Sequence, residues 1–387
     1  MRPYLTKTFL LQAGILLLLT FAIFFPVTLV KTAFHDLNDI RTYTYYARSI
    51  AEGTEPWSAV GSHPGWAALV IAVYRVFGIE KMWQAVLAVQ MGAQLLLALV
   101  LYGMGRTALP DAKPWLLIAL PLALMAAAPV FLLALEDGLY YFGYVGITSY
   151  HNPTNNVLKP LALLLIPWAV RWAEGKRLAP AEIPLMALLV LASTLIKPNF
   201  LICLLPAVGI QSLARLIRRE PLDWRGLALG LGIPSVLVLG YEYIQAGFAG
   251  SGGIILLPFA VMKNFSGWLG LKFLLSIWFP LLAAILYWPQ ARKDPGLVLG
   301  WLIFAFGAGY TYLLAEGGSR IFHGNFVWSG EIALFCLFVL SALFFFRQRA
   351  GGRADNKWLA ALLAGFLPHI LAGIIYYAYT LTNNTYF

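Results

Sequence analysis

Apolar runs of roughly 20 residues recur along this chain, separated by shorter polar stretches, and that pattern predicts a polytopic helical membrane protein. The first run is about Phe9–Val30. It is too long for a signal-peptide core and no small-x-small cleavage site follows it, so it reads as an uncleaved first span. A long loop from Lys31 to about Lys81 comes next. Within it, Pro64–Gly78 is apolar but short, carries Arg75 and is flanked by Pro and Gly, which predicts a helix lying in the interface. Further spans are expected at about Met82–Tyr102, Trp115–Leu135 and Val157–Trp172. A pair of short runs, Glu182–Ile196 and Phe200–Leu216, is split by Lys197-Pro198-Asn199. The remaining runs are about Leu227–Ile244, Leu271–Trp288, Leu297–Leu314, Glu331–Phe346 and Trp358–Tyr379. The expected fold is therefore an all-α transmembrane helical bundle of roughly 11 spans, forming one domain over residues 1–387, with residues 31–81 as its first extramembrane loop.

Charge orients that bundle. With the N-terminus in the cytoplasm, Arg106, Lys113, Arg171, Lys176, Arg177, Arg215, Arg218, Arg219, Arg225, Arg292, Lys293, Arg347, Arg349, Arg353 and Lys357 all fall in cytoplasmic turns. The opposite side keeps fewer, scattered ones, among them Lys31, Arg41, Arg48, Lys81, Lys263 and Arg320. The chain is 60% hydrophobic and 11% charged, so its net charge of +10 is accounted for by these turns and does not indicate nucleic acid. The short basic turns contain no Gly-rich phosphate loop, which argues against a nucleotide-driven cytoplasmic site. Cys203 and Cys336 both lie inside apolar runs and form no disulfide framework or metal spacing.

The densest acidic and polar cluster is His35-Asp36-Leu37-Asn38-Asp39-Ile40-Arg41-Thr42-Tyr43. Thr42–Glu52 reads as helix, with Asn38 or Asp36 as N-cap and Asp39 in the first turn, where the helix dipole favours a negative charge. A carboxylate held so can take a proton from a hydroxyl; the same pattern also suits a plain capped interfacial loop. Lys159 and Lys197, each followed by Pro, either snorkel to the membrane edge or contact an anionic group at membrane depth. Arg320 and His323, in the Gly-containing stretch 317–328, can hold a phosphate by charge-assisted hydrogen bonds. His151 and Asn152, in Tyr150–Asn156, can hydrogen-bond a sugar or pyrophosphate. No grouping has zinc spacing. Asp36 and Asp39 would hold a divalent cation only with help from other loops, so no metal is assigned and a divalent cation is left open.

The run Asp39-x-x-x-Tyr43-x-x-x-Ala47-x-x-x-x-x-Gly53, continuing through Ser62-His63-Pro64 and the interfacial helix to Gly78, resembles the first outer loop of the GT-C superfamily of integral-membrane glycosyltransferases. It is similar to the branch that uses polyprenyl-phosphate sugars, mannosyltransferases included, and the break at Thr194-Leu195-Ile196-Lys197-Pro198 is similar too. The likeness covers the topology and about the first hundred residues; later only short pieces match. Two departures stand out: His63-Pro64-Gly65 replaces a double Pro, and no C-terminal outer domain is expected. The resemblance implies inverting transfer of a sugar from a polyprenyl-phosphate donor to a hydroxyl of a glycan or glycolipid, on the outer face of a bacterial plasma membrane. It implies Asp39 as general base with Asp36 assisting, Lys197, Arg320 and His323 on the donor phosphate, and Tyr43, His63, His151, Asn152 and Lys159 around the substrates. The competing expectations are a transporter or flippase, which calls for charges deep in several spans and an internal repeat, neither of which is seen in the sequence, and a glycan polymerase or ligase, which calls for a larger late loop than Glu316–Trp328. Asp39→Asn is expected to abolish transfer in a chain that still folds, with Asp36→Asn milder; near-wild-type turnover in both would remove the assignment.

Overall fold

The computed structural model describes residues 7–34, 39–61, 64–132, 143–248, 253–349 and 356–383. Those residues form an all-α bundle with a single two-stranded ribbon. Helix α1 (Lys7–Leu29) runs on through a π turn to Phe34. Two extramembrane helices follow, α2 (Asp39–Ala51) and α3 (Gly65–Val76), before α4 (Met82–Ala108). Then come α5 (Pro114–Ala126), α6 (Pro153–Ala173), α7 (Glu182–Ile196) and α8 (Asn199–Ile217). A π turn at Gly226–Gly232 leads into α9 (Ile233–Phe248). Strand β1 (Ile254–Leu256) precedes four short helices, α10 (Ala260–Phe265), α11 (Leu269–Ser276), α12 (Trp278–Leu286) and α13 (Trp288–Ala291). Helix α14 (Pro295–Leu313) meets β2 (Leu314–Glu316), which pairs antiparallel with β1, and α15 (Val327–Gln348) follows. The last span is α16 (Asn356–Ala361) joined by a π turn to α17 (Leu367–Thr382).

Among the described residues, 7 helical segments are long and apolar enough to cross a membrane, or up to 8 if the α11–α12 pair, bent by 62°, is one span. The continuous span expected at Leu271–Trp288 is thus broken at Ile277. The span expected at Trp115–Leu135 is helical only to Ala126. The chain leaves the helix at Ala127, with φ −58° and ψ 138°, two residues before Pro129. The freed backbone finds partners elsewhere, as an apolar setting demands. Ala128 N donates to His369 O (3.1 Å), His369 Nδ1 donates to Ala128 O (2.7 Å), and Thr148 Oγ1 donates to Met125 O (3.2 Å). Helix α6 begins four residues earlier than the apolar run, at Pro153, because Asn152 caps it.

Helix α15 is the axis of the bundle, its apolar window 100% buried within the protein. It packs on α14 through small residues: a Cβ at Gly307 would lie 2.5 Å from Ala333 Cβ and 2.6 Å from Ser329 O. Two backbones that close gain dispersion contact over a long seam, the currency of helix association where lipid already surrounds apolar faces. Charged side chains are also enclosed in helices: Lys159 in α6, Glu242 in α9, Lys272 in α11 and Glu331 in α15 are each 5% exposed or less. This corrects the expectation of spans free of deep charge.

Gly307→Ala is expected to destabilise the fold by about 1–3 kcal/mol through overpacking. Gly309→Ala, two residues along the same helix, meets nothing within 4 Å. It should leave the thermal midpoint in detergent unchanged or raise it, since Ala is the better helix former.

Candidate active site

Asp39 opens α2, in its first turn, and α2 is held down by buried Ile40, Ala47 and Ile50. Thr42–Glu52 was the expected helix; the observed one starts three residues sooner and so includes Asp39 itself. The expected caps Asn38 and Asp36 lie outside the described residues, as does His63. One turn on, Tyr43 meets Trp66 of α3 edge-on, with ring centroids 5.5 Å apart. Trp66 is wholly buried, and Gly65 before it allows α3 to press on the end of α7: a Cβ there would lie 2.8 Å from the carbonyl of Leu195. The extramembrane helices are thereby seated directly on the α7–α8 break.

At that break, Lys197 takes an extended backbone conformation while its N–H still bonds to Ser193 O (2.9 Å). Its side chain is buried and does not snorkel. Nζ donates to Asn152 Oδ1 (3.0 Å) and lies 4.6 Å from the ring centroid of Trp328 at the start of α15. Asn152 faces the other way as well, its Nδ2 donating to Asp39 Oδ2 (2.9 Å). The same Oδ1 accepts from Asn155 N (2.9 Å) and Thr154 Oγ1 (3.0 Å), which makes Asn152 the N-cap of α6 and fixes which end of its amide is oxygen. One amide therefore bridges a carboxylate and an ammonium group.

Burial pushes the Asp39 carboxyl above the usual carboxylate range, against the opposing pull of Lys197 and Asn152. Burial brings the Lys197 ammonium down to about 7, partly restored by the charges of Asp39 and Glu331. The Tyr43 phenol is pushed up to about 12 by burial and then by Asp39, while Thr154 and Arg320 pull it back. His151, whose ring sits 5.5 Å from Trp328, is driven down to about 3 by burial and by the cations Lys31 and Lys197, and so is a neutral imidazole at neutral pH.

The other expected site residues lie at graded distances. Lys159 is enclosed within the protein, 3.5 Å from Glu331 Oε1. Asn199, the last residue of the Lys197-Pro198-Asn199 break, spends its amide on Ser329 Oγ (2.8 Å) and Asn325 O (3.3 Å), tying α8 to α15. Arg320 is exposed beyond β2, 3.3 Å from Glu316, with its charge felt at Tyr43. His323 is exposed in the same loop, with its backbone N–H bonded to Arg320 O (3.0 Å). Thr154, Asn155, Trp328 and Glu331 were not singled out from the sequence. Glu331 had a signal, since an ionisable residue inside an apolar run is a site candidate by default. Among the described residues no group of three His, Cys, Asp or Glu comes together to hold a metal ion. No protein-family model matches the chain, and no curated protein is significantly similar to it in sequence.

Asn152→Ala removes the cap and strands both charges, so a loss of at least about 1 kcal/mol is expected in thermal unfolding. Asn152→Ser keeps a capping oxygen without the bridge and should recover part of that loss.

Proposed function

We propose that this chain is a membrane-embedded glycosyltransferase of the GT-C type. It moves a sugar, a hexose such as mannose, from a polyprenyl-phosphate donor to a hydroxyl of a glycan or glycolipid. The supporting observation is the Asp39–Asn152–Lys197 bridge, which puts a proton acceptor and a cation side by side at one end of the bundle. In this reading Asp39 takes the proton of the acceptor hydroxyl as its oxygen attacks the anomeric carbon, inverting it. The bond to the lipid phosphate breaks with its electron pair on the phosphate oxygen, and Lys197 balances the charge that develops there. Arg320 serves the donor phosphate from the rim; Tyr43, His151 and Asn152 line the substrates. In this reading the N-terminus is cytoplasmic and this end of the bundle lies on the outer side of a bacterial plasma membrane, an orientation that the distribution of basic turns supports. The roughly 11 crossings of that topology include the shorter α5 and α7, of 13 and 15 residues.

One observation favours a second reading, a transporter or flippase of lipid-linked sugar: the enclosed charges Lys159, Glu242, Lys272 and Glu331 together with the α7–α8 break. Turnover separates the two. Purified protein is given radiolabelled polyprenyl-phosphate mannose, glucose or arabinofuranose with a membrane lipid extract. Label passing to product from one donor supports transfer; movement of the donor across vesicles without cleavage supports transport.

The pH profile carries a further expectation. As pH falls through the raised Asp39 value the base becomes protonated, so activity is lost above the ordinary carboxylate range. As pH rises through about 7 Lys197 loses its charge and activity falls again. Lys197→Arg, which stays charged, should extend activity to higher pH; an unchanged alkaline limb would remove Lys197 from its role.

A further inference from the structure

We propose that Glu331 is a positioning residue for this site, fixing from inside the bundle the turn that carries Asn152 and setting the negative charge against which Lys197 is held. The inference rests on the reading of Lys197 as the cation of the site. Its geometric basis is independent of that reading. A single carboxylate oxygen, Glu331 Oε1, accepts from Ser149 Oγ (2.9 Å) and from Asn155 Nδ2 (2.8 Å), and lies 3.5 Å from Lys159 Nζ. Ser149 is three residues before Asn152 and Asn155 three residues after it, so both flanks of the bridging amide are anchored to one atom. Gly146 lets the same loop lie on the carboxylate: a Cβ there would be 3.1 Å from Glu331 Oε2. Glu331 also follows Trp328 by three residues, and residues at that spacing share a helix face. The ring that Lys197 covers and the carboxylate below it therefore belong to one side of α15.

Enclosing a carboxylate is costly unless it is paired and hydrogen-bonded, and Glu331 is both. Its pairing with Lys159 makes the two formally neutral at a distance, yet Lys197 lies against Trp328, one turn before Glu331 on α15, and the Glu331 charge favours its ammonium form. The groups around Lys197 are Asp39 from α2, His151 and Asn152 ahead of α6, and Trp328 and Glu331 from α15, with Lys159 of α6 behind. Of these, Glu331 and Lys159 touch neither Asp39 nor Asn152 in the described contacts, so altering them changes the field at Lys197 without removing its bridge.

The test reads Lys197 directly. Purified full-length protein in detergent is pulsed with trace acetic anhydride across about pH 5 to pH 10, and acetylation of Lys197 is quantified by mass spectrometry. Wild type should show a midpoint near 7. Glu331→Gln keeps an oxygen for Ser149 and Asn155 but drops the charge, and should lower the midpoint by at least about half a unit. Lys159→Gln removes the compensating cation and should raise it. Opposite shifts are the signature of a charge acting on Lys197; no shift in either variant, or shifts of the same sign, would overturn the proposal. If Glu331→Gln fails to fold, the direction in Lys159→Gln decides alone. Labelling needs no sugar transfer, so a chain that turns over no donor yet shows the opposite shifts overturns only the proposed reaction.

Discussion

Asn152 does three things with one amide, and the rest of the site depends on their being compatible. Its oxygen caps α6 and receives the ammonium of Lys197, while its nitrogen holds the carboxylate of Asp39. No other side chain of that size offers both a strong acceptor and two donors. The cap fixes the amide in space, and the two charged groups then have to come to it. They do so from different elements, Asp39 on an extramembrane helix and Lys197 on a helix break, so folding is what assembles the pair.

The enclosed polar layer below the pair explains why so apolar a chain keeps charges inside it. A lone ammonium or carboxylate in such surroundings would discharge or drag in water. Lys159 and Glu331 avoid this by mutual pairing, and Ser149 and Asn155 take up further lone pairs on the carboxylate. Asn199, Ser329 and Asn325 continue the network across to α8. Pieces of this layer come from α6, α8 and α15, which makes it a polar seam between helices that otherwise meet through apolar surface.

The existence of most long helices was legible because a bilayer-length apolar run has few other fates. Ends were less so, and for definable reasons. Helix α5 stops at Ala126 where the backbone turns extended, Asn152 lengthens α6 at its start, and the turn at Ile277 splits what hydropathy reads as one segment, since a window average is blind to backbone direction. At the site, Asp39 and Lys197 could each be picked out by local context, a first helical turn and a broken helix, and Asn152 by its polar neighbours. Their convergence could not, because it spans more than a hundred residues of chain. Glu331 was overlooked because it opens an apolar run and was counted as part of a span, and the fate of Lys159 hinged on that missing partner.

That α15 touches only protein bears on how the molecule is made. Of the helices packed around it, α4, α6, α8, α12 and α14 precede it in the chain, and the segment after it packs on it in turn through Trp358, Phe366 and His369. The arrival of α15 brings Trp328 and Glu331 to Lys197 and Asn155. That end of the bundle is thus completed by a helix far downstream of Asp39 and Lys197, and a chain interrupted before α15 carries its carboxylate and its lysine without Trp328 and Glu331.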